Sequence, residues 1–225
     1  MTGAVALLIT GDPETWAIIR QSLLISVSAT VASLLLGAPI GAWIALATFR
    51  GRGLLLTIFN TGFGLPPVVV GLVLSILLLR HGPLGWLNLR FTPGAMIAAQ
   101  FILSLPIIIS LTAQAVQQLN SKLRLQMRAL GASRRQTLWL LAREIRLPLI
   151  GAYMAGFGAV LSEVGASQMV GGNLPGSTRV LTTAIVMETG MGHYDRAIAY
   201  GIVLLVLVAL IVGILTFVQQ RDDRQ

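Results

Sequence analysis

The chain has 225 residues, 55% of them hydrophobic and 11% charged, with a mean hydropathy of +0.82. A soluble domain carries about 25% charged residues, so this is an integral membrane protein of one domain, residues 1–225, with no room for a second, soluble one. The absence of cysteine excludes disulfides and thiolate chemistry, and the net charge of +8 reflects membrane topology rather than a nucleic-acid partner.

The N-terminal stretch to Glu14 lacks the basic region of a signal peptide and carries only Asp12 and Glu14, which leaves it free to be translocated. Five segments are apolar and long enough to cross a bilayer, which takes about 20 residues. They are Gln21 to Phe49, Leu54 to Leu79, Phe91 to Ser121, Leu147 toward Val170, and Ala197 to Gln220. The fold class expected is an all-α membrane protein with five transmembrane helices. In the second span, Gly62, Gly64, Pro66 and Pro67 predict a helix kink, either a packing device or a bend lining a pathway.

Between the third and fourth spans, residues 120–148 hold Lys122, Arg124, Arg128, Arg134, Arg135, Arg143 and Arg146 against a single acid, Glu144. Charge of this density stays outside hydrocarbon. With Arg50, Arg52, Arg221 and Arg224 it puts most of the basic residues on one side, against Arg20, Arg80, Arg90, Arg179 and Arg196 on the other. The asymmetry predicts the N-terminus outside and the C-terminus inside. Leu123, Met127 and Leu130 share a helix face. Gly131 interrupts it, and Ser133 with Gln136 three residues later forms a capping-box pattern that starts a second helix. Arg134 and Arg135 then fall in its first turn, where cations oppose the helix dipole by about 0.3–1 kcal/mol each. That cost points to membrane lipid headgroups or to an acidic partner surface, unless the two serve topology alone.

Glu163 is the one acid within a span, a placement that costs roughly 2.5–3.5 kcal/mol at mid-bilayer. It reads either as structural or as a gate element that pairs across a symmetry axis. The structural reading has it protonated, or hydrogen-bonded to a second copy or to backbone near Gly165. In the outer loop, residues 171–196, Gly171, Gly172 and Asn173 can turn backbone N–H groups into a concavity, and Ser177, Thr178 and Arg179 add donors for an anion. The competing reading is a Gly-rich turn with an arginine facing headgroups. Past the turn, Val180 to Met187 is expected to form a short helix packed against the spans. His81 and His193 stand far apart, and neither a metal-ligand spacing nor a catalytic constellation occurs. The pattern does not read as an enzyme.

The stretch RALGASRRQTLWLLAREIRLPL resembles the cytoplasmic loop of type I ABC importer permeases, with Gly131 at the family's fixed glycine. It departs from the family at Leu125, Gln126 and Met127, where Glu-Ala-Ala is usual. GLPPVVVGL and SEVGASQMVGGNLPGSTRVLTTAI are similar to the molybdate and tungstate permeases, closest to the tungstate branch. The resemblance implies a MetI-like core used as a homodimer in a bacterial or archaeal cytoplasmic membrane. It also implies an extracytoplasmic oxyanion-binding protein and ABC ATPase subunits. ATPase coupling would centre on Met127, Arg128, Ala129, Leu130, Gly131, Ala132, Ser133, Arg134, Arg135, Gln136 and Thr137. The chain has no Gly-x-x-x-x-Gly-Lys-Ser/Thr stretch, so ATP and Mg are expected on the partner ATPase and no cofactor on this chain. The rival class is an ion-coupled secondary transporter; within the first class, molybdate or sulfate is the alternative cargo.

Overall fold

The computed structural model describes residues 12–119, 131 and 133–222. Among these, nine α-helices and no strands occur. The first, α1, spans Pro13–Leu46 and starts well before the predicted span because Asp12 caps it. The Asp12 carboxylate accepts the Thr15 N–H at 2.9 Å and the Thr15 hydroxyl at 2.6 Å, and Pro13 needs no donor partner at the first helical position. At the far end, Arg52 donates Nε to the Ile44 carbonyl at 2.8 Å and Nη2 to that of Ala45 at 3.1 Å, satisfying carbonyls the helix leaves open.

The second predicted span is not one kinked helix. Helix α2 (Arg52–Thr61) runs into a 3-10 turn at Gly62–Gly64, and α3 (Pro67–Leu77) leaves at 100° to it. Pro66 forces Leu65 into extended backbone, and Pro67 opens the new helix at its first position. Two prolines beside two glycines therefore break the helix rather than bend it. Gly62 packs on Pro106 of α4 (Pro93–Gln118), closely enough that a Cβ there would overlap the ring.

The fourth span is likewise divided. After α5 (Arg134–Glu144), α6 covers Arg146–Leu161, and α7 (Gly165–Gly171) departs at 61°. Then α8 (Leu181–Gly190) supplies the short helix expected after the loop, and α9 (Tyr194–Asp222) is the last span. Three helices are thus long and apolar enough to cross a membrane singly, and five crossings result if each bent pair counts as one.

Small residues set the packing, as they do where no hydrophobic force drives membrane helices together. Ser33 meets Ser104 at 2.7 Å, a Cβ on Gly37 would touch Ile108, and one on Gly41 would lie 2.5 Å from the Ile109 carbonyl. Helices α1 and α4 therefore run parallel. Helix α6 runs against them, since Gly156 faces Ser104 while Ile145 joins Ala113 and Val116. One end of the bundle is closed by Ile18, Ile19, Leu181, Ala184 and Tyr200, and the other by Ala45, Ala113, Val116 and Ile145. Leu35, Leu205, Leu210 and Ile214 remain exposed, as suits a surface solvated by hydrocarbon.

Candidate functional site

Three places carry polar chemistry: the break between α6 and α7, the loop beyond it, and the corner before α5. At the break, Glu163 is buried, 5% exposed, and both its carboxylate oxygens accept hydrogen bonds from the chain's own backbone. The Ala166 N–H donates to Oε1 at 2.6 Å, and the Ser167 N–H and hydroxyl donate to Oε2 at 3.0 Å each. These are donors that the first turn of α7 leaves open. From the other side, the Thr182 hydroxyl donates to the Glu163 carbonyl at 2.9 Å, tying the break to α8. Gln100 of α4, also buried, donates to the Ser167 hydroxyl oxygen at 3.4 Å. The polar groups of the broken span are thus satisfied inside the chain, which is what hydrocarbon demands of irregular backbone.

The loop does not form the expected cradle of N–H groups. The Gly172 N–H closes α7 by donating to the Gln168 carbonyl. The Thr178 hydroxyl is buried between the Gly171 carbonyl and the Leu174 N–H, and Asn173 accepts the Thr183 hydroxyl at 2.9 Å. The N–H groups of Ser177, Thr178 and Arg179 all converge on the Leu174 carbonyl. Gly172 at φ +69° and Asn173 at φ +53° make this compact turn possible. Arg179 reaches away from it and donates Nη1 to Glu14 of α1 at 2.8 Å, so its charge is already paired. Of the six loop residues, the turn gathers Gly171, Gly172, Asn173, Ser177 and Thr178, and it sends Arg179 elsewhere.

At the opposite end, Gly131 has φ +72° with open space where a Cβ would stand, so the position needs glycine for its backbone and not for close packing. Ser133 accepts the Gln136 N–H at 3.3 Å and donates its own N–H to Gln136 Oε1 at 2.8 Å, the reciprocal box its spacing predicts. The Thr137 hydroxyl donates to the Ser133 carbonyl. Arg134 and Arg135 occupy the first turn of α5. Met127, Arg128, Ala129, Leu130 and Ala132 lie outside the described residues. Leu141 and Ile145 bury one face of α5 against the bundle, while Trp139 is exposed with the Arg143 guanidinium 5.7 Å from its ring centre.

Over residues 37–223 the chain matches the family described as binding-protein-dependent transport system inner membrane component. The chain belongs to that family. It is 37% identical over 218 residues to a tungstate uptake system permease protein of Peptoclostridium acidaminophilum, covering 97% of this chain and 96% of the relative. It is 41% identical over 197 residues to a probable anion ABC transporter permease protein of Haloferax volcanii, covering 85% of each. Its fold matches a chain of the inward-facing MetNI methionine ABC transporter with a TM-score of 0.69 at 18% identity, over 95% of this chain and 98% of that one.

This is therefore the permease subunit of an ABC importer, and its family works with an ATPase and a solute-binding protein. In the permease, Glu163 and the Gly131 corner lie at different depths, joined by α6. Sequence reasoning missed Gln100, Ser33 and Ser104, although polar residues at four-residue spacing inside an apolar span are a usable sign of an interhelical seam. It also missed the Arg179–Glu14 pair, which joins positions 165 residues apart and leaves no local signal. Among the described residues no group of three His, Asp or Glu side chains is placed to hold a metal.

Proposed function

We propose that this permease moves tungstate into the cytoplasm by alternating access, as a homodimer in a bacterial or archaeal cytoplasmic membrane. The observation that carries the cargo is the match, over nearly the whole of both chains, to a relative named for tungstate uptake. ATP and Mg are held by two ABC ATPase subunits, and the loaded anion arrives from an extracytoplasmic oxyanion-binding protein. The ATPases engage the segment around Gly131, where a left-handed glycine precedes the capped start of α5. The Trp139–Arg143 pair adds an exposed basic surface at that end, apt for a partner or for lipid headgroups.

Glu163 holds the break of the fourth span and takes no part in binding the anion, which a carboxylate would repel. The loop from Gly171 to Thr178 shapes the outer mouth, the N–H groups of Gly172, Leu174, Ser177 and Thr178 and the Thr178 hydroxyl being occupied within the chain. The test is a reconstituted assembly whose ATPase activity is measured with the binding protein delivering tungstate, molybdate or sulfate. Stimulation strongest with tungstate is expected; equal or greater stimulation by molybdate or sulfate would reassign the cargo.

A further inference from the structure

At the end of the bundle remote from Gly131, residues 78–92 join α3 to α4. The Leu84 N–H donates to the Leu77 carbonyl at 2.9 Å, and Leu84 and Leu89 pack beside Leu74 and Leu78, so the loop folds back on the bundle. What it leaves outside is of two kinds. Trp86, 75% exposed, and Leu87 stand at its 3-10 turn, Gly85–Leu87, and Arg80 and Arg90 flank them, both exposed. No Asp or Glu occurs between Glu14 and Glu144, and among the described residues neither arginine is paired with an acid.

The depth of the loop follows from helix register. Trp16 and Trp43 of α1, both more than half exposed, stand 27 residues apart, roughly 40 Å along the axis, which is the thickness of a bilayer with its headgroup layers. Exposed aromatics at that spacing mark the two interfaces. Ser33 meets Ser104, 71 residues on, and Gly37 meets Ile108 at the same offset. Pro93 is thereby level with Ser22, about 9 Å along α1 from Trp16. The loop that meets α4 there lies in the interfacial layer.

The exposed groups define the occupant. An indole and a leucine suit the boundary of the acyl chains, and guanidinium groups bind phosphate through paired N–H donors. A zwitterionic headgroup brings its own cation, for which the loop holds no acid. A free phosphate or tungstate ion answers the arginines but leaves Trp86 and Leu87 uncovered. A lipid with a phosphate and no cation satisfies both.

We propose that residues 80–91 bind the headgroup of an anionic phospholipid of the phosphatidylglycerol type, with Arg80 and Arg90 as its phosphate donors and Trp86 at the acyl boundary. The site bears on α7. The Arg90 guanidinium lies 4.5 Å from the Phe91 ring centre, and the Phe91 N–H donates to the Val170 carbonyl at 2.8 Å. The Phe91 ring fills the space a Cβ on Gly172 would take. Phe91 holds φ +61°, a left-handed conformation that persists only where the surroundings impose it. A lipid phosphate on Arg90 therefore steadies the end of α7 through Phe91.

The experiment places the permease–ATPase assembly in phosphatidylcholine nanodiscs that carry an equal small fraction of brominated phosphatidylglycerol or brominated phosphatidylcholine. Tryptophan quenching is read, with Trp86→Phe identifying the Trp86 signal. Phosphatidylglycerol is expected to gather at Trp86 by roughly fivefold per arginine and to quench it more strongly. Arg80→Gln, which leaves the Phe91 contact alone, should lose about fivefold of that preference, and Arg80→Gln with Arg90→Gln nearly all of it, at an unchanged thermal midpoint. Phosphatidylglycerol should also slow hydrogen exchange at the Phe91 N–H, and fail to do so in Arg90→Gln. Equal quenching by the two lipids in the unaltered assembly, or a preference kept in both folded variants, would overturn the site. Loss of the preference on adding inorganic phosphate or tungstate would overturn it in favour of a soluble-anion site. A preference with no change in exchange would overturn the hold on α7.

Discussion

The break at Glu163 offers the sharpest test of how the fourth span is held. Glu163→Ala removes the acceptor of the Ala166 and Ser167 N–H groups, both buried, and of a hydroxyl that can rotate to another partner. A buried donor left without an acceptor costs about 1–3 kcal/mol, so two of them come to about 2–6 kcal/mol. Glu163→Gln keeps one oxygen for Ala166 but turns an amide NH2 toward the Ser167 N–H, stranding one donor at about 1–3 kcal/mol. In a chain of this size each kcal/mol moves the thermal midpoint by about 2–4 °C. Glu163→Gln is therefore expected to assemble and to melt about 2–12 °C lower, and Glu163→Ala to lose about twice as much. The assay is thermal unfolding of the purified assembly in nanodiscs, read beside transport and ATPase coupling. Wild-type stability in Glu163→Ala would refute the idea that this carboxylate holds the break. Unchanged transport and coupling in Glu163→Gln would separately remove any gating role.

Gly131→Ala forces a side chain into left-handed backbone, at about 1–2 kcal/mol, in a place with room for it. Hydrolysis without proportionate transport is expected, with the bundle's melting little changed; coupled transport at the wild-type ratio would count against the corner. Gly71→Ala would put a Cβ 2.6 Å from the Ala166 Cα and force α3 and α7 apart, costing about 1–3 kcal/mol. Gly151→Ala meets nothing within 4 Å inside α6, so it should be neutral or raise stability by about 0.5–1 kcal/mol, and thermal midpoints of the two variants compare them directly. The Thr15 hydroxyl and N–H hold the Asp12 carboxyl below its ordinary value of 3.8. Its contribution to the start of α1 is thus complete above that value and is lost as pH falls through the lower, folded one. Hydrogen exchange in the first turn of α1 should rise as pH drops below about 4, once corrected for intrinsic rates, and Asp12→Asn should flatten that rise.

Much of this fold was legible because local chemistry and tertiary structure agree. Ser133 and Gln136 predict a capped start and provide it, and the apolar stretches predict the spans. The second span was legible as irregular at Pro66 and Pro67, but its 100° turn was not, since the angle depends on Gly62 finding Pro106 of another helix. Glu163 stood out by composition alone. Its partners lie three and four residues on, yet a local pattern does not distinguish them from a second copy of the chain. The loop misled for a related reason. Gly-Gly-Asn can aim N–H groups outward or fold upon itself, and Thr178 and Thr183, reaching in from later positions, decide for the second.

The two broken spans also explain one another. Helices α3 and α7, the halves beyond each break, are in close contact: Gly165 admits Val68 and Gly71 admits Ala166, where a Cβ on either glycine would come within 2.6 Å. A continuous helix carries a push along its axis, whereas a helix turned by 61° converts the same push into a sideways displacement of its second half. Helix α6 begins one residue after α5 and ends at the break, so on the proposed reading it is the direct lever from the coupling corner. What it moves at its far end is α7, with α3 interlocked on it. Opposing that displacement is the bond from Gln100 to Ser167, at 3.4 Å a long one, in the buried polar seam joining Ser33, Ser104, Ser167 and Glu163. A mechanism that opens the outer half of the permease while leaving α1 and α4 together would break the seam first at that bond, because the Ser33–Ser104 contact at 2.7 Å lies wholly within the pair that stays.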